Sequence, residues 1–264
     1  MDELVATWLA SLERRHLADL TTSEVARALR ALSSCYVERR SKLEDGGALA
    51  GRGKRAAFAL FYGPLHFLTT ALIVRALPGA LDGLREVIDL GCGTGAAGAA
   101  WAAAAGARSV RGYDRHPWAI AEANATYRHF HLEGRASQRD IGKPAANPGD
   151  RSALRAGPGS ALLAAYAANE LTAQGRSNLR SALFRAAEEG ARVLVIEPIA
   201  RRTAPWWGEW QHAVEHAGGR ADEWRFPAEL GPTQRTLARA AGLDPRELTA
   251  RSLFLQPAGP PKGM

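Results

Sequence analysis

The stretch Val87-Ile88-Asp89-Leu90-Gly91-Cys92-Gly93-Thr94-Gly95 limits the possible folds of this chain more than any other segment. A short apolar run meets an acid, then glycine stands at three alternate positions, and the alanine-rich segment Ala96 to Ala105 follows. The pattern predicts a buried strand, a tight turn and the start of a helix. Glycine admits backbone angles and close approaches that a Cβ blocks. A ligand is thereby able to rest on main-chain N–H groups at a helix N-terminus. Further strands are expected at Val110–Asp114, Arg135–Ile141, Ala161–Ala167, Arg192–Ile196 and Leu248–Leu255, with Trp224 and Phe226 in a short extended piece. Helices are expected from Trp118 to Phe130 behind Pro117, from the tryptophan cluster to about His216, and from Thr233 to Ala241. Strands alternating with helices imply a mainly parallel α/β sheet. In such sheets an acid closing the second strand, here Asp114, accepts hydrogen bonds from ribose hydroxyls.

The chain before about Leu81 reads differently. Leu4, Trp8 and Leu12 share a helical face, and Thr21-Thr22-Ser23-Glu24 matches a capping box. Val25, Leu29, Leu32 and Tyr36 form the stripe of a second helix. A third is expected from Arg55 to Leu77, kinked at Pro64. Tyr62 and His66, four residues apart on it, share one face. Glycine-rich loops are expected at Glu44–Gly53 and Gly142–Gly159. The division is a helical region over 1–80, a sheet domain over 81–256 and a tail over 257–264.

At 264 residues and 46% hydrophobic content, the chain is large enough for one elaborated α/β domain. The net charge of +7 suits an acidic partner such as RNA, although arginines on solvated helix faces give the same total. Cys35 and Cys92 are the only cysteines, which excludes four-cysteine zinc or iron–sulfur sites and a disulfide framework. His129 and His131 lack a third ligand at a recognisable spacing, so no metal is expected. Ala56 to Val74 is long and uncharged enough to raise the question of a membrane span. Its Gly63-Pro64, His66 and threonines fit a buried, kinked helix better, and the expected compartment is the cytoplasm.

The acid followed by GxGxG, with Asp114 after it, resembles class I S-adenosylmethionine-dependent methyltransferases. It departs from the GxGxxG dinucleotide fingerprint at Ala96. The resemblance runs from about Leu84 to Leu255. It implies a Rossmann-like sheet under an N-terminal helical lid, with S-adenosyl-L-methionine as cofactor. It assigns Gly91, Cys92, Gly93 and Gly95 to the cofactor wall, Asp114 to the ribose and Asp140 to the adenine amino group. Asp89 either orients the loop or reaches the methionine ammonium. Asn169, at the end of the fourth strand, stands between cofactor and acceptor. More narrowly, Asn169-Glu170-Leu171, Ile196-Glu197-Pro198 and the Tyr36 helix resemble the small-ribosomal-subunit-associated methyltransferase-like proteins. Two cysteines cannot build the cysteine cluster of the mitochondrial members. Ile199-Ala200-Arg201-Arg202 also replaces the glycine-threonine-proline run often found after their Glu-Pro.

The candidate catalytic residues are Tyr62, His66, Asn169 and Glu170. Glu170 is read as a general base or as a residue holding backbone donors, and His66 as catalytic or as a core histidine. Arg201, Arg202, Trp206 and Trp207 either contact a planar or anionic acceptor or pack a helix onto the sheet. The acceptor is left between RNA or a ribosome-related molecule and an aromatic or heteroaromatic small molecule. The remaining alternative is an assembly factor that binds cofactor without catalysis.

Overall fold

The computed structural model describes residues 3–38, 49–143, 156–200, 204–243 and 245–257. Outside them lie Arg201 and Arg202, the side chains of Cys35 and Tyr36, most of the two expected glycine-rich loops, and nearly all of the expected tail. Seven strands form one sheet in the order β3-β2-β1-β4-β5-β7-β6. They are β1 Glu86–Leu90, β2 Ser109–Asp114, β3 Glu133–Gln138, β4 Ser160–Ala165, β5 Arg192–Glu197, β6 Arg220–Pro227 and β7 Glu247–Leu255. The first five run parallel, and β7 is antiparallel to both of its neighbours. The strand order reverses between β1 and β4, which opens a crevice beyond their carboxyl ends. This is the Rossmann-like sheet expected from the sequence.

The β-period of two sorts the sheet side chains into two cores. Ile88, Leu90, Leu162, Ala164, Val193 and Val195 face one way, toward α6 (Ala173–Glu188) and α7 (Trp207–His216). Val87, Ala161, Leu163, Leu194 and Ile196 face the other way. That second side is covered by α1 (Glu3–His16), α2 (Thr22–Glu38), a long helix α3 over Arg52–Ala76, and α4 (Ala96–Ala105). The helices α5 (Pro117–His129) and α8 (Pro232–Ala240) complete this layer. α4 is almost all alanine and largely buried, packed against α3 on its outer side. Its Trp101 is fully buried and donates from Nε1 to Ala80 O at 3.0 Å. The expected capping box opens α2: Thr21 N donates to Glu24 Oε2 at 2.8 Å, and Glu24 N donates to Thr21 Oγ1 at 3.3 Å.

Three local readings are refined. Just before Pro64, α3 carries a π-helical turn over Phe58–Tyr62, where Gly63 N–H bonds to Phe58 O. Proline lacks the N–H that would reach the Leu60 carbonyl, so the ladder shifts by one residue just before it. That carbonyl is served from 174 residues away: Gln234 Nε2, buried on α8, donates to Leu60 O at 2.9 Å. Gln234→Ala is therefore expected to strand a buried acceptor and to cost about 1–3 kcal/mol. The measurement is a lower urea midpoint at unchanged slope. The third strand stops at Gln138, three residues before Ile141: Arg139 N makes the last ladder bond, to Asp114 O, and the Asp140 side chain then turns the chain by accepting from Gly142 N at 2.9 Å. The short piece around Trp224 and Phe226 is an eight-residue edge strand, β6, whose mixed charges hide its alternation. By length and composition α3 suffices to cross a membrane, yet 72% of its most apolar window is buried inside the protein.

Candidate active site

The loop after β1 is held by main-chain bonds. Gly91 N and Cys92 N both donate to Tyr113 O, at 2.8 and 3.0 Å, and Gly95 N donates to Cys92 O at 2.7 Å. Gly91, Gly93 and Gly95 all have positive φ, at 74°, 52° and 73°. A Cβ on Gly91 would lie 2.5 Å from Ala167 Cβ, so the loop rests directly against the chain leaving β4. Asp114 pins the loop from the neighbouring strand: Oδ2 accepts from Gly93 N at 2.9 Å, and Oδ1 accepts from His116 N at 2.8 Å.

Asp89 is 1% exposed and accepts from Gly98 N at 3.0 Å. Gly95, the residue before α4, offers no side chain, so Asp89 caps that helix from the strand instead. Burial pushes its carboxyl up to about 7, against the pull of the Gly98 donor. Of the two roles open to Asp89, these contacts fit loop orientation. The Cys92 thiol is buried beside Tyr127 and pushed up by that burial, which makes it a packing group.

The opposite wall begins where β4 ends. Tyr166 adopts φ 58°, unusual for a residue with a side chain, and its N–H bonds to Ile196 O at 2.7 Å. The His66 ring stacks on the Tyr166 ring at 4.1 Å and 15°. Phe58, Tyr62 and His66 recur every four residues along α3, so they line one helix face above the sheet edge. Burial lowers His66 to about 3, leaving a neutral imidazole at ordinary pH. Tyr62 is pushed up by burial, and its hydroxyl bonds with Ser33 on α2.

A 3₁₀ turn over Ala168–Glu170 follows Tyr166. Burial raises Glu170 to about 7, opposed by Arg115 and assisted by the Asp114 charge. Its side chain keeps 33% exposure and sits 4.0 Å from the Arg115 guanidinium, so solvent moderates the rise.

These two walls enclose a cavity of about 440 Å³. It brings together Tyr62, His66, Asp89, Gly91, Cys92, Gly93, Asp114, Asp140, Asn169 and Glu170, all expected from the sequence. The lining also includes Glu197 of the Ile196-Glu197-Pro198 motif, and Phe58, Arg115 and Tyr166, which the sequence did not single out. Only the left-handed backbone of Tyr166 and its stack on His66 mark it as a site residue.

Two expectations are corrected. Gly95 lies outside the cavity lining: a Cβ there would sit 2.7 Å from the Tyr127 ring and 2.9 Å from Ala123, so this glycine lets α5 pack against the loop. Trp207 is 6% exposed in the core beneath α7, with the Arg251 guanidinium 4.2 Å over its ring, and is not an acceptor contact. Trp206 also lies outside the lining and reaches the site only through Asn169, whose Oδ1 accepts from Trp206 Nε1 at 3.1 Å. The tryptophans were legible as aromatic. Their direction depends on the sheet face α7 covers.

The donor set fits S-adenosylmethionine. The first-turn N–H groups of Ala96 and Ala97 have no intrahelical partner and line the cavity, where a carboxylate is accommodated. Each Asp114 oxygen accepts one main-chain bond and retains a second lone-pair site for a ribose hydroxyl. Asp140 and Ile141 form the far edge, on the adenine side of the family resemblance.

Residues 68–150 match the methyltransferase small domain. No curated protein sequence matches the chain. Among solved structures, a SAM-dependent methyltransferase from Aquifex aeolicus is similar at 14% identity and a TM-score of 0.49, over 74% of this chain and 93% of that one. A methyltransferase from Pyrococcus furiosus is similar at 13% identity and a TM-score of 0.46, over 73% and 83%. The narrower resemblance to the ribosome-associated proteins has no counterpart among these matches. The chain has the class I methyltransferase fold, and its glycine-loop region is similar to the methyltransferase small domain.

Proposed function

We propose that this protein is an S-adenosylmethionine-dependent methyltransferase that takes a planar aromatic or heteroaromatic acceptor. One observation carries the reading: a single cavity joins the Gly91–Gly93 loop and Asp114 to an end walled by Phe58, Tyr62, His66 and Tyr166. When bound, the cofactor supplies a methyl group on a sulfonium, which leaves as a neutral thioether. The chain's own work is to align the acceptor heteroatom, exclude water and receive its proton. The aromatic wall aligns a flat ring and keeps it dry. His66 stays neutral and serves as part of that wall, since a base with its proton affinity lowered to about 3 takes no proton at ordinary pH. Glu170, raised to about 7 and facing the cavity, is the group that receives the acceptor's proton.

A second reading, RNA as acceptor, rests on the net charge of +7. The test is a mass-shift screen with cofactor against phenols, heteroaromatic amines and short RNA oligonucleotides. The expected result is one added methyl on a small planar compound, with turnover reduced in Glu170→Gln. Methylation confined to RNA, with steeply salt-dependent binding, would replace this reading with the second. Cofactor binding with no methylation of any acceptor would instead favour a non-catalytic assembly factor.

A further inference from the structure

Glu197 closes β5 with no exposed surface, and each of its oxygens accepts from Asn169, with the Ala168 main-chain N–H also bonding to the carboxyl. Oε1 accepts from the main-chain N–H of Asn169 at 3.1 Å, and Oε2 accepts from Asn169 Nδ2. On the other side of that amide, Oδ1 accepts from Trp206 Nε1. An indole only donates, so Trp206 takes the Asn169 oxygen and turns the Asn169 NH2 toward Glu197, which leaves the amide one workable orientation. Turning it over would set N–H against the indole N–H.

This line of bonds joins the turn after β4 to the end of β5 and to the residue that opens α7, 28 and 37 residues further along the chain. Trp206 is itself wedged against Trp207 and Trp210, at centroid separations of 5.7 and 4.7 Å. Burial raises the Glu197 carboxyl to about 8 and the Glu170 charge adds to the rise, while the Asn169 N–H and Arg251 from β7, which lies over Trp207, oppose it. A buried carboxylate is expensive, and an apolar residue of similar size would often be at least as stable. Its retention is explained if it holds something in place.

We propose that Glu197 is a positioning residue for the acceptor end of the site. It fixes the Asn169 amide and, through the Asn169 main-chain N–H, the place of Glu170 in the cavity. This rests on the reading of that end as the acceptor site. It also reassigns Asn169. With Oδ1 taken by Trp206 and one Nδ2 hydrogen taken by Glu197, Asn169 keeps one N–H and one lone-pair site for the cavity. That is half the capacity of a free amide.

The test exchanges polarity along the bonded line. Glu197→Gln sets an amide against the Asn169 amide, breaking the alternation of donors and acceptors. Combining Glu197→Gln with Asn169→Asp restores it: the new amide donates to the new carboxylate, which still accepts from Trp206. Three readouts apply to the full chain: the Trp206 indole ¹H–¹⁵N resonance, assigned with Trp206→Phe; calorimetric affinity for S-adenosylhomocysteine; and kcat with the acceptor from the screen. In Glu197→Gln the indole resonance is expected to move and kcat to fall about tenfold to a hundredfold, the scale of a small misplacement. Affinity for S-adenosylhomocysteine should hold within about twofold, a difference well under 1 kcal/mol. The double variant should return the resonance to its original position.

An unmoved resonance in Glu197→Gln, or no recovery in a folded double variant, overturns the proposal. Should Glu197→Gln fail to fold, the double variant decides alone by the position of its resonance. If the wild-type chain methylates nothing, the proposed activity falls, while the two resonance measurements still decide the role of Glu197.

Discussion

Asp114→Ala is expected to weaken S-adenosylhomocysteine binding tenfold or more. Charge-assisted hydrogen bonds to the ribose are worth about 1.5–3 kcal/mol, and tenfold corresponds to about 1.4 kcal/mol. The side chain does more than wait for ligand, because it also ties Gly93 N to β2 and receives His116 N. Its loss frees the loop that forms the opposite wall of the ribose site, so the fall should exceed the ribose bonds alone. Asp114→Asn retains one acceptor oxygen and should lie between the two. Calorimetry on the three proteins gives the ranking. Equal affinities, with all three folded, would mean that the end of β2 is not the ribose site.

Gly91→Ala is expected to damage both stability and cofactor binding, and more severely than Gly93→Ala. At Gly91 the backbone has φ 74° and the new Cβ would sit 2.5 Å from Ala167 Cβ. Left-handed backbone costs a residue with a side chain about 1–2 kcal/mol, and overpacking a tight contact adds about 1–3 kcal/mol. Gly93 also has positive φ, yet the nearest atoms to its added Cβ belong to the Phe58 ring at 3.5 Å, an ordinary contact. Only the backbone term applies there. Urea midpoints and S-adenosylhomocysteine affinities for the two variants test the order. If Gly93→Ala proves the worse of the two, the loop does not rest on Ala167 as described.

The cofactor half of the site was legible because its information is local. An acid and three glycines within seven residues specify the strand end, the turn and the helix start, and Asp114 closes the next strand. The half proposed to hold the acceptor was less legible because it is assembled across the sheet. Glu197 stood in an evident strand, but nothing in its neighbours in sequence announces Asn169 as its partner. Pro64 announced a break in α3, yet the π-turn and the rescue of Leu60 O by Gln234 depend on a helix 174 residues away. Arginine and tryptophan content suggested a contact surface after β5, whereas Trp207 and Trp210 are core residues. Aromatic and apolar packing give the same signal in sequence until the covered face of the sheet is known.

An S-adenosylmethionine site formed by the Gly91–Gly93 loop, Asp114 and the first turn of α4 is tested by calorimetric titration of S-adenosylhomocysteine into the wild-type chain, repeated with Asp114→Ala. Saturable one-to-one binding by the wild type and at least a tenfold loss in the variant are expected. Absence of binding by folded wild-type protein, or binding that ignores Asp114, would contradict that site.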